Sequence, residues 1–286
     1  MKKKVVFFGT PDFVTPVLQK LFEHFEVVAI VTSPDAIQGR KKELTPSPVK
    51  QYVLKSNVNT AILSPEKLDN QIAQELQELS PDLFIVAAYG KIIPQQILDI
   101  PQFGSLNIHP SLLPKYRGPS PIQTALLNGD TVSGISVIEM DAEMDHGPIV
   151  AKWEYPLTSK DTFESLHYAM FQEASEKLSE IITNFCSKKT PGTVQDESLA
   201  TYCQRITRED GFVDFASSPD PVELDRKIRA FYPWPNVWTR LDGKIVKLYP
   251  EKKIQVEGKG IVTVKDFLNG YPKFRQLLES VLLLER

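Results

Sequence analysis

Short apolar runs bounded by turn residues alternate with helix-like stretches through the first two thirds of the chain. The runs predict β-strands at Lys4–Phe8, Val27–Val31, Thr60–Leu63, Leu83–Ala88, Ser105–Ile108 and Gly134–Met140. Apolar residues at helical spacing predict helices at Phe13–Phe22, Ser47–Lys55, Leu68–Leu79 and Thr162–Phe185. This alternation, with strands that are apolar along their whole length, predicts an α/β fold with a doubly wound, mostly parallel sheet covered on both faces.

The pattern changes after the last of these helices. A polar stretch that contains Pro191 and Gly192 predicts a linker. Beyond it, strand-like segments predict a small β-rich domain; they are Phe212–Phe215, Val237–Leu241, Lys244–Tyr249, Ile254–Val256 and Ile261–Val264. The last segment, Lys273–Arg286, predicts an amphipathic helix. We therefore expect a first domain at residues 1–190, a linker at 191–204 and a second domain at 205–286.

Composition narrows the class of protein. The chain has 286 residues, of which 42% are hydrophobic and 24% charged, as in an ordinary soluble globular protein. The longest apolar run, Leu83–Ala88, is too short to cross a membrane. The opening MKKKVVFF resembles the start of a secretory signal, but Gly9 and Pro11 interrupt it, so we expect a first strand in a cytoplasmic protein. The spacing of Cys186 and Cys203 indicates neither a disulfide framework nor a zinc site.

The strongest candidate for chemistry is the segment SLNIHPSLLPKYRG, residues 105–118. It places Asn107 and His109 two positions apart on a short strand, so that both side chains share one face. An amide can donate a hydrogen bond to a carbonyl oxygen as it becomes an oxyanion, and a histidine can exchange a proton near neutral pH. The pair suits the attack of an amine on a carbonyl, although a histidine in such a run is often only a hydrogen-bonded core residue.

A second polar cluster, MDAEMDHG, follows the strand Gly134–Met140. Its three carboxylates, Asp141, Glu143 and Asp145, could bind a hard cation such as Mg²⁺. No partner acidic cluster is found elsewhere in the sequence. We therefore favour one carboxylate that orients or charges a histidine, with the others solvated, and we expect no metal.

These segments also carry a family resemblance. FGTPDF, TPSPVK, AYGKIIP, LNIHPSLLPKYRGPSPIQ and MDAEMDHGPI resemble the formyltransferase family in order and spacing. Members of that family move a formyl group from 10-formyltetrahydrofolate onto an amine by means of an Asn, a His and an Asp. By motif, the resemblance implies that Asn107, His109 and Asp145 are the catalytic residues.

The resemblance also implies where the folate cosubstrate binds. It places the folate beside Tyr89–Ile92 and the loop Met140–Asp145, with the pterin in a pocket walled by sheet residues such as Val86. The folate-binding residues expected on this basis are Val86, Tyr89, Gly90, Lys91, Ile92, Met140, Asp141, Ser111, Leu112, Leu113 and Pro114.

Family members differ in their acceptor amine, which can belong to glycinamide ribonucleotide, to an amino sugar or to the methionine on initiator tRNA. Two segments favour initiator methionyl-tRNA. Thr32–Lys50 resembles the insertion loop of the tRNA-acting members, with Arg40, Lys41 and Lys42 as its basic tip. Ile228–Thr239 resembles the start of their C-terminal barrel, so we expect a small, OB-like β-barrel that binds tRNA. The barrel aromatics would serve equally well as core residues whatever the ligand.

The sequence departs from the family pattern in two places, and two alternative functions remain open. Glu143 stands where the family usually has a glycine, and the C-terminal domain is short for a tRNA-acting member. The first alternative is a formyltransferase that acts on a nucleotide-linked amino sugar. The second is a non-catalytic tRNA- or folate-binding protein, which the intact Asn107, His109 and Asp145 argue against. We expect the protein to act as a monomer without contact with membranes.

Overall fold

The computed structural model describes residues 2–38, 43–188 and 192–281. Its contacts divide the chain into two compact units. The first comprises the described parts of residues 1–119, 134–155 and 167–202, and the second those of 120–133, 156–166 and 203–286. The residues described at 192–202, which lie in the predicted linker, thus belong to the first unit.

A mixed sheet forms the centre of the fold. Its strands are β1 (Lys4–Gly9), β2 (Glu26–Val31), β5 (Ala61–Leu63), β6 (Leu83–Ala87), β7 (Ser105–His109), β8 (Val132–Glu139) and β9 (Ile149–Pro156). Within the described chain they lie in the order β5-β2-β1-β6-β7-β8-β9. In this spatial order, each neighbouring pair among β5, β2, β1, β6 and β7 is parallel. β8 pairs antiparallel with β7. A short hairpin, β3 (Ala36–Gln38) and β4 (Glu43–Thr45), lies outside this sheet.

The two central strands explain why the sheet is parallel and buried. In β1 the five residues after Lys4 are all buried, and in β6 every residue is buried. Side chains of successive residues point to opposite faces of a sheet, so Phe7 and Phe8, both fully buried, show that both faces are covered. The prediction of a doubly wound, mostly parallel α/β fold is confirmed.

Several of the helices begin at a residue whose side chain caps the first turn. They are α1 (Thr15–His24), α2 (Pro48–Lys55), α3 (Asn70–Glu78), α4 (Gln95–Leu98), α5 (Pro121–Asn128), α6 (Phe163–Cys186), α7 (Pro221–Ala230), α8 (Val264–Gly270) and α9 (Arg275–Val281). The Ser47 hydroxyl accepts from the Lys50 N–H at the start of α2, and Asp69 accepts from two N–H groups at the start of α3. No helix within the described ranges is long and apolar enough to cross a membrane.

The second unit contains a small antiparallel sheet, which confirms the predicted β-rich C-terminal region. Its strands are β10 (Val237–Leu241), β11 (Lys244–Tyr249), β12 (Lys253–Val256) and β13 (Ile261–Thr263), paired in that order. Asp242 and Gly243 connect β10 to β11 with φ values of 49° and 74°, which suit the tight turn of a two-residue hairpin.

Some expected elements differ from the observed ones. No strand forms at Phe212–Phe215, where Phe212 makes an isolated bridge to Trp238 and a 3-10 turn begins at Phe215. Asp214 causes the turn, because its carboxylate accepts from the Ala216 N–H. The sequence pattern indicates neither the strands β3, β4 and β9 nor the helices α4, α5, α7 and α8. The C-terminal helix is described only as α9, and the rest of its predicted span lies outside the described residues.

Candidate active site

The carboxyl ends of three neighbouring parallel strands meet at one edge of the main sheet. Gly9 of β1 lies opposite Ala87 of β6, and Val86 of β6 lies opposite Asn107 of β7. The Thr10 hydroxyl donates to the Tyr89 carbonyl oxygen at 3.1 Å and joins the turns that follow β1 and β6. In open α/β sheets this edge is where ligands bind.

β7 carries Asn107 and His109 on the same face. Hydrogen bonds to β6 on one side and to β8 on the other fix the backbone of this strand. His109 is 4% exposed, whereas Asn107 is partly exposed. The strand therefore presents one amide and one imidazole side by side at a partly covered sheet edge.

Asp145 comes from the loop between β8 and β9 and reaches both of these side chains. Its Oδ1 accepts from Asn107 Nδ2 at 3.3 Å, and its Oδ2 accepts from the Gly118 N–H at 2.8 Å. The same Oδ2 lies 3.6 Å from His109 Nδ1. The structure thus brings together the three residues that the sequence singled out as catalytic candidates.

Hydrogen bonding fixes the orientation of the His109 ring. Nε2 lies 2.9 Å from the Tyr116 carbonyl oxygen, which can only accept, so Nε2 carries a hydrogen. Nδ1 faces the Asp145 carboxylate, whose oxygens also only accept when it is ionised. Both ring nitrogens of His109 therefore face oxygen atoms that can accept a hydrogen bond.

The Asp145 loop is held by a residue distant in sequence. The backbone at Asp145 has φ 51°, a left-handed conformation that costs most residues energy but that Asp tolerates better than most. Gln195 Nε2 donates to the carbonyl oxygens of Asp145 and Gly147, each at 2.8 Å. The Gln195 Oε1 accepts in turn from Arg117 Nη2 at 2.9 Å.

Arg117 is the most buried charged side chain at this site. It is 1% exposed, and its Nη1 and Nη2 donate to the two carboxylate oxygens of Glu197 at 2.9 and 2.6 Å. Its hydrogen bond to Glu197 raises the pKa of Arg117, and the same bond lowers the pKa of Glu197. The sequence motif contains Arg117 without indicating a role for it, and no sequence pattern indicated Gln195 or Glu197.

His146 follows Asp145 and binds a second carboxylate of the loop. Its Nδ1 lies 2.7 Å from Asp141 Oδ2, and its Nε2 lies 3.5 Å from Glu197 Oε1. The hydrogen bond to Asp141 is the main cause of the raised pKa of His146. Asp141, an expected folate residue, is thus engaged in holding the loop together.

The segment after β6, residues 89–92, contains a buried tyrosine and a glycine with free space around its backbone. Tyr89 is 2% exposed, and its hydroxyl, which finds no partner within the described chain, has a pKa raised by burial to about 12. Gly90 has φ 83° and no atom within 4 Å of a position that a Cβ would take. Lys91 Nζ donates to the carbonyl oxygens of Pro65 and Glu66, whereas Ile92 is 82% exposed.

The other expected folate residues lie around the same strand ends. Val86 is buried, and Met140 packs against the core cluster that contains Val86 and Tyr89. Ser111 and Leu113 are buried in the turn after β7, while Leu112 and Pro114 are partly exposed. Ser136 of β8 holds this turn, since its hydroxyl donates to the Ser111 carbonyl oxygen and accepts from the Leu113 N–H. The buried residues of this set lie behind the site, and the partly exposed residues can contact a ligand.

Two further expectations concern the basic residues predicted to contact tRNA and the expected absence of a metal. Arg40, Lys41 and Lys42, the predicted tRNA contacts, lie outside the described residues. In the part of the chain that the structure describes, no three His, Cys, Asp or Glu side chains group closely enough to hold a metal ion.

Sequence comparison gives consistent matches over most of the chain. Residues 2–182 match the Formyl transferase family, and residues 205–252 match the family described as Formyl transferase, C-terminal domain. The methionyl-tRNA formyltransferase of Geobacter sulfurreducens is 40% identical over 248 residues, which cover 86% of this chain and 77% of that protein.

Solved structures share the fold at much lower identity. HypX from Aquifex aeolicus, in complex with tetrahydrofolic acid, has a TM-score of 0.64 at 16% identity and covers 98% of this chain and 48% of its own. A sugar N-formyltransferase from a Shewanella species has a TM-score of 0.65 at 16% identity, covering 86% of this chain and 96% of its own. At such identities the likeness establishes the fold alone.

Proposed function

The chain belongs to the formyl transferase family, and from that premise we propose that it transfers a formyl group from 10-formyltetrahydrofolate to the α-amino group of methionyl initiator tRNA, in translation initiation. The single observation that carries the proposal is the convergence of Asn107, His109 and Asp145 at the end of β7. The 40% identity to a methionyl-tRNA formyltransferase supports the choice of acceptor.

The proposed reaction begins with attack of the neutral amine on the formyl carbon. One amide hydrogen of Asn107 bonds to Asp145, and its second amide hydrogen stabilises the developing oxyanion. His109 Nε2–H is committed to the Tyr116 carbonyl oxygen, so Nδ1–H is the hydrogen that His109 offers. Nδ1 lies 3.6 Å from the carboxylate, beyond a normal hydrogen bond, so its N–H is not committed to Asp145 and can donate to the substrate oxygen.

Asp145 supplies the negative charge that the mechanism needs. Its carboxylate faces the His109 imidazole at 3.6 Å and orients the Asn107 amide through a hydrogen bond. The new N–C bond forms as the amine releases one proton to this carboxylate. Collapse of the tetrahedral adduct breaks the bond between the formyl carbon and the folate nitrogen, which leaves with that proton, so the carboxylate regains its charge.

We place the formyl donor along the sheet edge beside this group. Gly90 and Ile92 offer open backbone and an exposed apolar side chain next to the end of β6. Leu112 and Pro114 offer partly exposed apolar surface after β7. Tyr89, Ser111 and Leu113 are buried, so in this proposal they shape the pocket from behind, which fits an apolar wall for a flat ring system.

The acceptor and the setting of the reaction complete the proposal. Residues 1–190 carry the chemistry and residues 205–286, joined through 191–204, bind tRNA as a compact β domain. Arg40, Lys41 and Lys42 contact tRNA phosphates through their positive charges. The enzyme acts as a monomer in the cytoplasm, and the reaction as written requires no metal.

An amino-sugar acceptor is the second candidate, favoured by the fold shared with the Shewanella sugar N-formyltransferase. The deciding experiment gives the enzyme a labelled formyl donor and, separately, methionyl initiator tRNA, methionyl elongator tRNA and a nucleotide-linked amino sugar. We expect label on the initiator tRNA at a kcat/KM far above that of the other two acceptors. Transfer to the sugar alone would replace the first candidate with the second, and transfer to none of the three would reject both.

A further inference from the structure

Gln195 has every hydrogen-bonding group of its amide engaged around Asp145. It is 6% exposed, and Nε2 donates to two carbonyl oxygens of the loop, those of Asp145 and Gly147. Its Oε1 accepts from both Arg117 Nη2, at 2.9 Å, and Arg117 Nε, at 3.2 Å. A buried amide with all its partners present holds one orientation, because any rotation leaves polar groups unsatisfied.

Arg117 determines which way this amide points. A guanidinium can only donate, so the oxygen of Gln195 must face Arg117 and the nitrogen must face the loop carbonyls. Glu197 holds the guanidinium through two hydrogen bonds on its other side. The chain Glu197–Arg117–Gln195 therefore ends in two donors aimed at the backbone of the Asp145 loop.

The loop conformation is one that needs such support. Asp145 has φ 51°, and the two residues before it, Glu143 and Met144, are exposed. In this conformation the Asp145 carbonyl oxygen faces Gln195, and the carboxylate reaches Asn107 and the Gly118 N–H. A strained backbone conformation at a functional residue persists when several surrounding contacts hold it in place.

The segment Tyr116–Gly118 connects the whole arrangement. The Tyr116 carbonyl oxygen holds His109, the Arg117 side chain holds Gln195, and the Gly118 N–H holds the Asp145 carboxylate. Each of three successive residues thus binds a different part of the site. Without the Gln195 donors the loop would lose its backbone support and keep the hydrogen bond from Gly118 to the Asp145 carboxylate, whereas the contacts of β7 would be unaffected.

We propose that Gln195 is a positioning residue for formyl transfer, which acts on the reaction through the Asp145 backbone and touches no substrate. The inference rests on the proposed function, in which Asp145 serves the reacting group. Catalytic groups displaced by about 1 Å can lose on the order of 10²-fold in rate, so even a modest shift of the loop is measurable.

The test is a double-mutant cycle between Gln195 and Asp145 in the full-length enzyme. Gln195→Met keeps the length of the side chain and removes both donors, and Gln195→Glu keeps an acceptor for Arg117 while it removes the donors. Gln74→Met is the matched control, because the Gln74 amide donates only to Glu78 on the exposed face of α3. Formyl transfer, Tm and hydrogen exchange of the peptide covering residues 139–148 are measured for each variant.

We expect Gln195→Met and Gln195→Glu to lower kcat by about 10- to 100-fold, with KM for both substrates nearly unchanged. In an Asp145→Ala background the same change should cost less than about twofold, because the carboxylate to be positioned is gone. Exchange of residues 139–148 should rise in both Gln195 variants, and Gln74→Met should behave like the wild type.

Losses that multiply in the double variant would overturn the inference, since Gln195 would then act independently of Asp145. Unchanged exchange at residues 139–148 in a folded Gln195 variant would overturn it as well. If one Gln195 variant fails to fold, the other decides. A wild type without formyl transfer, or an Asp145→Ala variant with full activity, would instead reject the proposed function.

Discussion

The two halves of the candidate active site are held by different means. Asn107 and His109 lie on β7, whose backbone is paired with a strand on each side. Asp145 lies on a loop, has φ 51° and is fixed by hydrogen bonds from Gly118 and Gln195, at positions remote in the chain. One half is thus positioned by a sheet and the other by a few specific hydrogen bonds.

Because the two halves are held differently, they should differ in how easily a substitution displaces them. A strand inside a sheet moves only if many backbone hydrogen bonds break together, so β7 should keep its geometry in most variants. A loop held by individual side chains can shift when one partner is removed, without unfolding the rest. We therefore expect removal of a side chain that holds the Asp145 loop to reduce activity more than stability.

The largest effects should come from removing the three site side chains themselves. Asn107→Ala, His109→Ala and Asp145→Ala should each lower kcat/KM by about 10²-fold or more, because each removes an oxyanion donor or the charge that supports it. His109→Ala should also lower Tm the most, since His109 is 4% exposed and packs in the sheet. Steady-state formylation and thermal unfolding measure the two effects. Near-normal turnover in all three variants would end the assignment.

A backbone clash in the loop half should lower both activity and stability, because it displaces the Asp145 loop. Gly147→Ala would place a Cβ 1.8 Å from the Glu139 carbonyl oxygen, so the backbone itself must shift. We expect kcat to fall by about tenfold or more and stability by about 1–3 kcal/mol. Gly260→Ala is the control, because no atom lies within 4 Å of its Cβ position. Equal activity of the two variants would show that the loop position is irrelevant to the reaction.

A smaller effect is expected at the basic tip Arg40–Lys42, to which the proposed function assigns a role in acceptor binding. Replacement of Arg40, Lys41 and Lys42 by Ala should flatten the dependence of log KM for tRNA on log salt by about 0.9 for each phosphate that the variant no longer neutralises. The KM for folate should not change. Identical salt slopes and equal KM values in wild type and triple variant would favour the amino-sugar acceptor.

The smallest effect concerns the pH dependence of the loop half. Asp141 raises the pKa of His146 above its ordinary 6.5, so the charged ring stabilises the folded state. This contribution is complete below the unfolded pKa and is lost as pH rises through the higher folded pKa. The Tm of wild type should exceed that of His146→Gln by about 1–3 °C near pH 5.5, and the difference should disappear by about pH 9. A difference that grows with pH would contradict the assigned hydrogen bond.

The strand half could be predicted from the sequence, and the loop half could not. The apolar run around β7 and the two-residue spacing of Asn107 and His109 indicate a strand with a shared polar face, as observed. The local acidic cluster offered Asp145 as one of three carboxylates, and the family resemblance selected it among them. Gln195 was missed because a hydrogen bond between residues 50 positions apart leaves no periodic signal in a polar segment.

The same distinction applies to the fold. Strands such as β1 and β6 are apolar throughout and were predicted within one residue at each end. β9 was missed because Val150 is its one buried residue and the exposed Lys152 and Glu154 interrupt its apolar positions, as expected of a strand at the edge of the sheet. α7 was missed because it buries only three side chains, those of Leu224, Ile228 and Ala230.

The most direct test of the account is whether the two halves act as one catalytic group. Single-turnover formyl transfer to methionyl initiator tRNA should be measured for His109→Ala, Asp145→Ala and the double variant. The account predicts that the double variant loses about as much rate as the more severe single variant, because either change disables the shared group. A double variant whose loss equals the product of the two single losses would contradict it.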